Sequence, residues 1–272
     1  MLKKTFIAAL SFISITAYAN EPITTIDHGY FMSVMDCTTK NPLAVIYELK
    51  QDTGIAKRYS SYLDDDRLKM KRPDCHPNTD HKFKTYQSVL KSKGLSGSYD
   101  VGHLAMSNHL DKNEESIKMA NYFSNLSPQA SKNNRNGGAW YEAELITECQ
   151  REHEPLYIVV GTIDDPKTTE NDHFVDTWGQ TTADYWYRLI YFTESRTYQA
   201  WMIPNTDLAT RDKLLSRQYS VTAAFLDSKL SIKLPILQEI KQYNIPVISP
   251  SMLETTSQGA TLTCREMTTG LG

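Results

Sequence analysis

His103 and a run of asparagines downstream of it have residue types and a spacing that could do chemistry. Asp100-Val101-Gly102-His103 is followed at residues 121 to 144 by NYFSNLSPQASKNNRNGGAWYEAE. A neutral imidazole can take a proton from water, and a carboxamide oxygen can help to hold a divalent cation. Mg²⁺ keeps several of its own waters and asks for few protein oxygens, so one asparagine plus the oxygens of a phosphate can suffice. An activated water, stabilised charge on the phosphoryl oxygens and help for the departing alkoxide are what hydrolysis of a phosphodiester requires. His103 is expected to be the general base, and the cluster from Asn134 to Asn136 to supply the cation ligand.

These residues need elements to hold them. Residues 137 to 153 carry Trp140, Ala143, Leu145 and Ile146 among polar positions, with cap-type asparagines at their start, and read as a helix. Residues 43 to 49 (LAVIYEL) and 156 to 160, closed by Gly161, read as strands. Residues 185 to 192 (YWYRLIYF) and 198 to 203 (YQAWMI) read as an antiparallel hairpin. Weaker helical patterns lie near 208 to 217 and 234 to 243, and the polar stretch from 63 to 98 reads as a long surface excursion pinned by Cys75. Strands and helices alternate without a regular βαβ period, so the expected class is α+β.

Composition narrows the setting. Met1-Leu2-Lys3-Lys4, the apolar run from Phe6 to Ile15 and Ala17-Tyr18-Ala19 have the order of a secretory signal peptide, with cleavage after Ala19. The apolar run is shorter than the roughly 20 residues that a spanning helix needs, so no membrane attachment is expected of the mature form. That form, residues 20 to 272, is expected to be a single domain in the periplasm or outside the cell. Without Lys3 and Lys4 it carries 27 basic and 32 acidic side chains, a formal charge of −5. Tight binding of nucleic acid by a broad basic face is therefore excluded, and any contact with phosphate should be local and cation-assisted. Cys37, Cys75, Cys149 and Cys264 suit two disulfides in an oxidising compartment, with three pairings open.

The chain resembles the DNA/RNA non-specific endonucleases, the ββα-metal nucleases that include mitochondrial endonuclease G. The resemblance runs from about residue 43 to about 237. It rests on Arg58 after a strand, D-x-G-H at Asp100 to His103, SN-x-x-PQ at Ser124 to Gln129, N-x-x-x-W-x-x-x-E at Asn136, Trp140 and Glu144, a strand ending at Gly161, and A-x-x-x-PN at Ala200 to Asn205. It implies a ββα-metal fold with a mainly antiparallel central sheet flanked by helices. It also implies cleavage of DNA and possibly RNA with Mg²⁺, or Mn²⁺ in its place, leaving 5′-phosphate ends.

Carried over, His103 is the base, Asn136 the metal ligand, Asn125 a group that orients the base or the phosphate, Arg58 a phosphate contact and Asp100 a brace for the loop bearing His103. Glu144, about 80° around a helix from Asn136, would hold a water of the metal. Counting forward from Gln129 gives Asn134 instead of Asn136; Trp140 and Glu144, taken as fixing the phase, favour Asn136. Two family arginines are missing, replaced by Val101 and Glu148. Arg58, Arg67, Arg72, Arg135 and Arg151 are the candidates to restore the charge. If none does, the alternative is a catalytically impaired nuclease fold that binds nucleic acid or a protein partner.

Overall fold

The computed structural model describes residues 22 to 54, 56 to 77 and 83 to 248. The expected signal peptide and Cys264 lie outside the described residues. Eight strands are described: β1 (Ile23–Asp27), β2 (Met32–Asp36), β3 (Asn41–Leu49), β4 (Tyr99–His103), β5 (Leu126–Ala130), β6 (Leu156–Ile163), β7 (Tyr185–Phe192) and β8 (Thr197–Pro204). The helices among the described residues are α1 (Asp66–Lys71), α2 (Phe83–Ser92), α3 (Glu114–Met119), α4 (Ser131–Asn134), α5 (Ala139–Gln150), α6 (Val175–Trp178), α7 (Arg211–Leu215), α8 (Ala223–Lys229) and α9 (Pro235–Gln242).

Six strands form one sheet in the order β1-β2-β3-β6-β7-β8, each pair antiparallel. Its central strands are apolar at successive positions because both faces are covered. On one face Val45, Tyr47, Ile158 and Trp186 pack with Trp140 and Ala143 of α5. On the other, Ala44, Ile46, Val159 and Leu189 pack with Leu226 of α8 and Ile236 of α9. The alternation along each strand follows from the two-residue side-chain period.

A two-stranded antiparallel ribbon, β4 with β5, carries the chemistry-bearing segment, with Asp100 opposite Gln129 and His103 opposite Leu126. It lies close to the sheet: a Cβ on Gly102 would fall 2.7 Å from the Trp186 ring and 2.4 Å from Gln129 Oε1. Asn205, the last residue of A-x-x-x-PN, holds ribbon and sheet together. Its Oδ1 accepts from the Ala130 amide at 2.8 Å, and its Nδ2 donates to the carbonyls of Pro128 at 3.1 Å and Ala183 at 2.9 Å.

Most expected elements are present, with shifted ends. The hairpin is β7 and β8, the helix from 137 to 153 is α5, and the strand closed by Gly161 continues through it to Ile163. Gly161 is needed where it stands, because a Cβ there would lie 2.0 Å from the Leu43 carbonyl oxygen across the sheet. The stretch from 63 to 98 is corrected from a surface excursion: it holds two helices, α1 and α2, each with buried side chains. Leu68 of α1 and Tyr86, Val89 and Leu90 of α2 are buried, at the three- and four-residue spacing of a helix face. Cys75 bonds to Cys37, fastening the segment that follows α1 to the end of β2. Cys149 is buried in α5.

Candidate active site

His103 ends β4 and faces a cleft of about 330 Å³ that is also lined by Arg58, Asn134, Arg135 and Glu144. Its Nε2 lies 3.2 Å from Asn121 Oδ1. The Asn121 amide has its orientation fixed, since its Nδ2 donates to the Ile117 carbonyl at 3.1 Å. The oxygen therefore faces the imidazole, Nε2 carries the proton, and Nδ1 is left with its lone pair. Burial holds the His103 pKa down at about 4, the nearby Arg58 charge adds to the depression, and the Asn121 bond opposes it. The ring is thus neutral across the physiological range and can accept a proton.

Asp100 organises the opposite wall. Its Oδ1 accepts from Ser131 Oγ at 2.9 Å and from Arg135 at 2.6 Å, and its Oδ2 from Asn134 Nδ2 at 3.1 Å and Arg135 Nε at 3.0 Å. The expected brace for the His103 loop is instead a clamp on α4 and the residue after it. With Nδ2 committed to Asp100, Asn134 has its carboxamide oxygen left to offer.

Asn136, expected as the metal ligand, does not line the cleft. It sits in the exposed turn between α4 and α5. Gly137 in that turn has a φ of +90°, and Gly138 packs so closely that a Cβ would lie 2.1 Å from the Asn133 carbonyl oxygen. Helical phase does not pass through this turn, so counting back from Trp140 does not decide which asparagine faces the cleft; Asn134 lines it and Asn136 does not.

Glu144 is buried at the cleft, its Oε1 accepting from Trp140 Nε1 at 3.0 Å and lying 3.7 Å from Arg188. Burial pushes its pKa up to about 7, against the lowering effect of Arg188, the Trp140 bond and Arg58. Arg188 itself is fully buried, 4.5 Å above the Trp140 ring, and is not a cleft residue.

Asn125, expected to orient the base or the phosphate, does not line the cleft and has no hydrogen bond to His103. It is fully buried, and its amide bonds to the Ala105 N–H at 2.8 Å and to the carbonyls of Ala105 at 2.9 Å and Ala120 at 2.7 Å. Ser124 beside it bonds to Asp65, the N-cap of α1. The SN-x-x-PQ element is scaffolding for the chain leaving His103. Asn121, at the start of the same segment, is the residue that reading of the sequence missed.

The charge missing at Val101 is not restored from that position. Val101 is 4% exposed and packs with Tyr86, Leu126 and Phe174. Glu148 and Arg151 pair with each other at 3.1 Å, and neither lines the cleft. Arg67 bonds to the Asp27 carbonyl and Arg72 to Asp74, both elsewhere. Among the candidates, Arg58 and Arg135 line the cleft. Arg58 is exposed and makes no hydrogen bond or ion pair with the described residues; Arg135 is held by Asp100 with its side chain 56% exposed.

The family model for DNA/RNA non-specific endonucleases matches residues 13 to 225. The chain belongs to that family. No curated protein sequence matches it. Among solved structures, the crystal structure of the EndoG/EndoGI complex matches with a TM-score of 0.57 over 77% of this chain and 84% of that one. At 15% identity the likeness is one of fold, and the six-stranded antiparallel sheet with flanking helices is that of the ββα-metal nucleases. Family membership supports nuclease activity, a nucleic-acid substrate and metal dependence; no helix among the described residues is long and apolar enough to cross a membrane.

Proposed function

We propose that this chain is an exported, Mg²⁺-dependent endonuclease of low sequence specificity that hydrolyses phosphodiester bonds in DNA or RNA, with Mn²⁺ able to substitute. The observation that carries the reading is the pairing, across one cleft, of a neutral histidine with a lone pair on Nδ1 and an asparagine with an uncommitted carboxamide oxygen.

The donor set fits a hard divalent cation. Asn134 Oδ1 and the carboxylate of Glu144 are oxygens, and a buried acid pushed up to about 7 gains from a cation beside it. When bound, the ion would neutralise charge on the phosphoryl oxygens and on the departing 3′ oxygen. His103 Nδ1 takes the proton of the water that attacks phosphorus, while Asn121 keeps the ring in the tautomer able to do so. Arg58 and Arg135 attract and orient the phosphate.

A binding-only role would follow if the losses at Val101 and Glu148 had stripped the cleft of positive charge. Two guanidinium groups in its lining favour the enzyme. Export rests on the N-terminal signal pattern, and mass measurement of the mature protein should give a chain beginning at Asn20.

The test is nicking of supercoiled plasmid by the purified mature chain with Mg²⁺, with and without EDTA, beside Asn134→Ala and Asn136→Ala. Cleavage that requires the ion, is lost in Asn134→Ala and persists in Asn136→Ala is expected. Cleavage indifferent to EDTA would remove the metal dependence, and none above a His103→Ala control would remove the hydrolase reading. Loss in Asn136→Ala alone would return the ligand to that residue.

A further inference from the structure

The short turn Ser107–Leu110 has two sides. Ser107 and Asn108 line the catalytic cleft, whereas His109 and Leu110, with Asp111 after them, line a separate cavity of about 830 Å³ that shares no lining residue with the cleft. That volume is in the range of small-molecule sites, which are typically about 300 to 1,000 Å³. Its walls are largely apolar and aromatic, including Tyr30, Phe31, Met32, Tyr157 and Ile236.

The polar feature of this cavity is Asp111. It is 8% exposed, yet its carboxylate accepts no hydrogen bond from any other described residue. The nearest backbone does not help: the Gly54 amide is spent on Asp52 at 2.7 Å, and Gly54 presses so close that a Cβ there would lie 2.0 Å from Asp111 Oδ1. Burial and the charge of Asp52 push the Asp111 pKa up to about 6, with Arg151 opposing them. Ionised at neutral pH, lining the cavity and held by no side-chain donor, the carboxylate is open to a cation that enters.

Other charges in the lining leave room for a cation. Lys50 pairs with Glu48 at 3.6 Å, and Arg151 is committed to Glu148 and to the carbonyls of Lys50 and Asn108. Beyond those, Asp27, Asp111 and Glu239 outnumber Lys112. Tyrosine and phenylalanine rings add faces that attract cations.

We propose that this cavity is a binding site for an organic cation: a protonated amine on an apolar or aromatic body, with the amine at Asp111 and the body along the aromatic wall. The site is independent of hydrolysis in the cleft. It selects against the same body bearing a carboxylate.

Calorimetric titration of the full mature chain with tryptamine, beside indole-3-propionate as a matched body of opposite charge, tests this. Tryptamine should bind about tenfold or more tightly than indole-3-propionate, because a charge-assisted bond to a buried carboxylate is at stake. Asp111→Asn should erase that preference. Absence of tryptamine binding, equal binding of the two probes, or a preference unchanged in Asp111→Asn overturns the proposal. If Asp111→Asn does not fold, Tyr30→Ala, which removes a half-buried ring from the aromatic wall, replaces it: tenfold weaker tryptamine binding supports the site and unchanged binding overturns it.

Discussion

His103 and His109 lie six residues apart, the first half-buried at the cleft and the second buried, and the surroundings of their ring nitrogens differ. His103 has one nitrogen engaged, by Asn121, and the other left to the cleft. His109 has both engaged: the Tyr47 hydroxyl is 2.8 Å from Nδ1, and Glu148 Oε2 is 3.0 Å from Nε2. Burial raises the Tyr47 pKa above its ordinary value, so that hydroxyl stays a donor. Burial also acts to raise the Glu148 pKa, but its bonds and charges from His109 and Arg151 bring it below the usual carboxylate range. A histidine is a base when one nitrogen is fixed and the other is left over. Fixing both makes it part of the framework.

The difference can be broken first at the two rings. His103→Ala should lower metal-dependent plasmid cleavage by about 10² to 10⁴, the usual worth of a general base. His109→Ala should leave the rate of the folded fraction near wild type and lower the melting temperature, because it leaves a cavity and takes one of the two partners from the buried Glu148, Arg151 remaining. Equal rate losses in the two variants would erase the distinction.

Next come the arginines. Removing one preorganised charge-stabilising donor typically costs about 10² to 10³ in rate. Arg135→Ala and Arg58→Ala should each lose activity on that scale in the same cleavage assay, while Arg67→Ala stays near wild type. Val101→Arg, which restores the family residue, should lower stability instead of raising the rate, since it would bury a charge among Tyr86, Leu126 and Phe174. Thermal melting and initial rates together decide this.

Asn121→Ala should have a smaller effect, about 10- to 100-fold in turnover, as is usual for a group that orients a catalytic residue. Substrate KM should stay unchanged because Asn121 does not line the cleft. A loss confined to KM would speak against its role.

Much of this site was legible in the sequence, and the exceptions have physical causes. His103, Trp140 and Glu144 could be placed because a short ribbon and one helix present them. The choice between Asn134 and Asn136 was not legible, because the turn at Gly137 separates α4 from α5 and ends any phase argument drawn from Trp140. Asn125 matched a motif whose amide is consumed by backbone partners. The helices between 63 and 98 were hidden because their exposed faces are charged, while the buried face is only a few residues wide. The central strands showed plainly because both their faces are covered.

An effect on stability, not rate, is one that the two histidines share. Burial lowers both pKa values, that of His103 from 6.5 to about 4. In acid the unfolded chain binds protons that these rings refuse, so their contribution is fully present above pH 6.5 and is lost as pH falls. For His103 the loss should be complete near pH 4 and amount to at most about 3 kcal/mol. Denaturant titrations from pH 7 to 4 should show a shallower decline in His103→Gln than in wild type; an equally steep decline would mean that His103 titrates normally.

The tautomer of His103 is the most direct test of why this ring is the base. In the ring-¹⁵N-labelled mature chain at neutral pH, NMR correlation spectra should show a neutral imidazole protonated on Nε2 with a bare Nδ1. An imidazolium, or a ring protonated on Nδ1, would contradict the account.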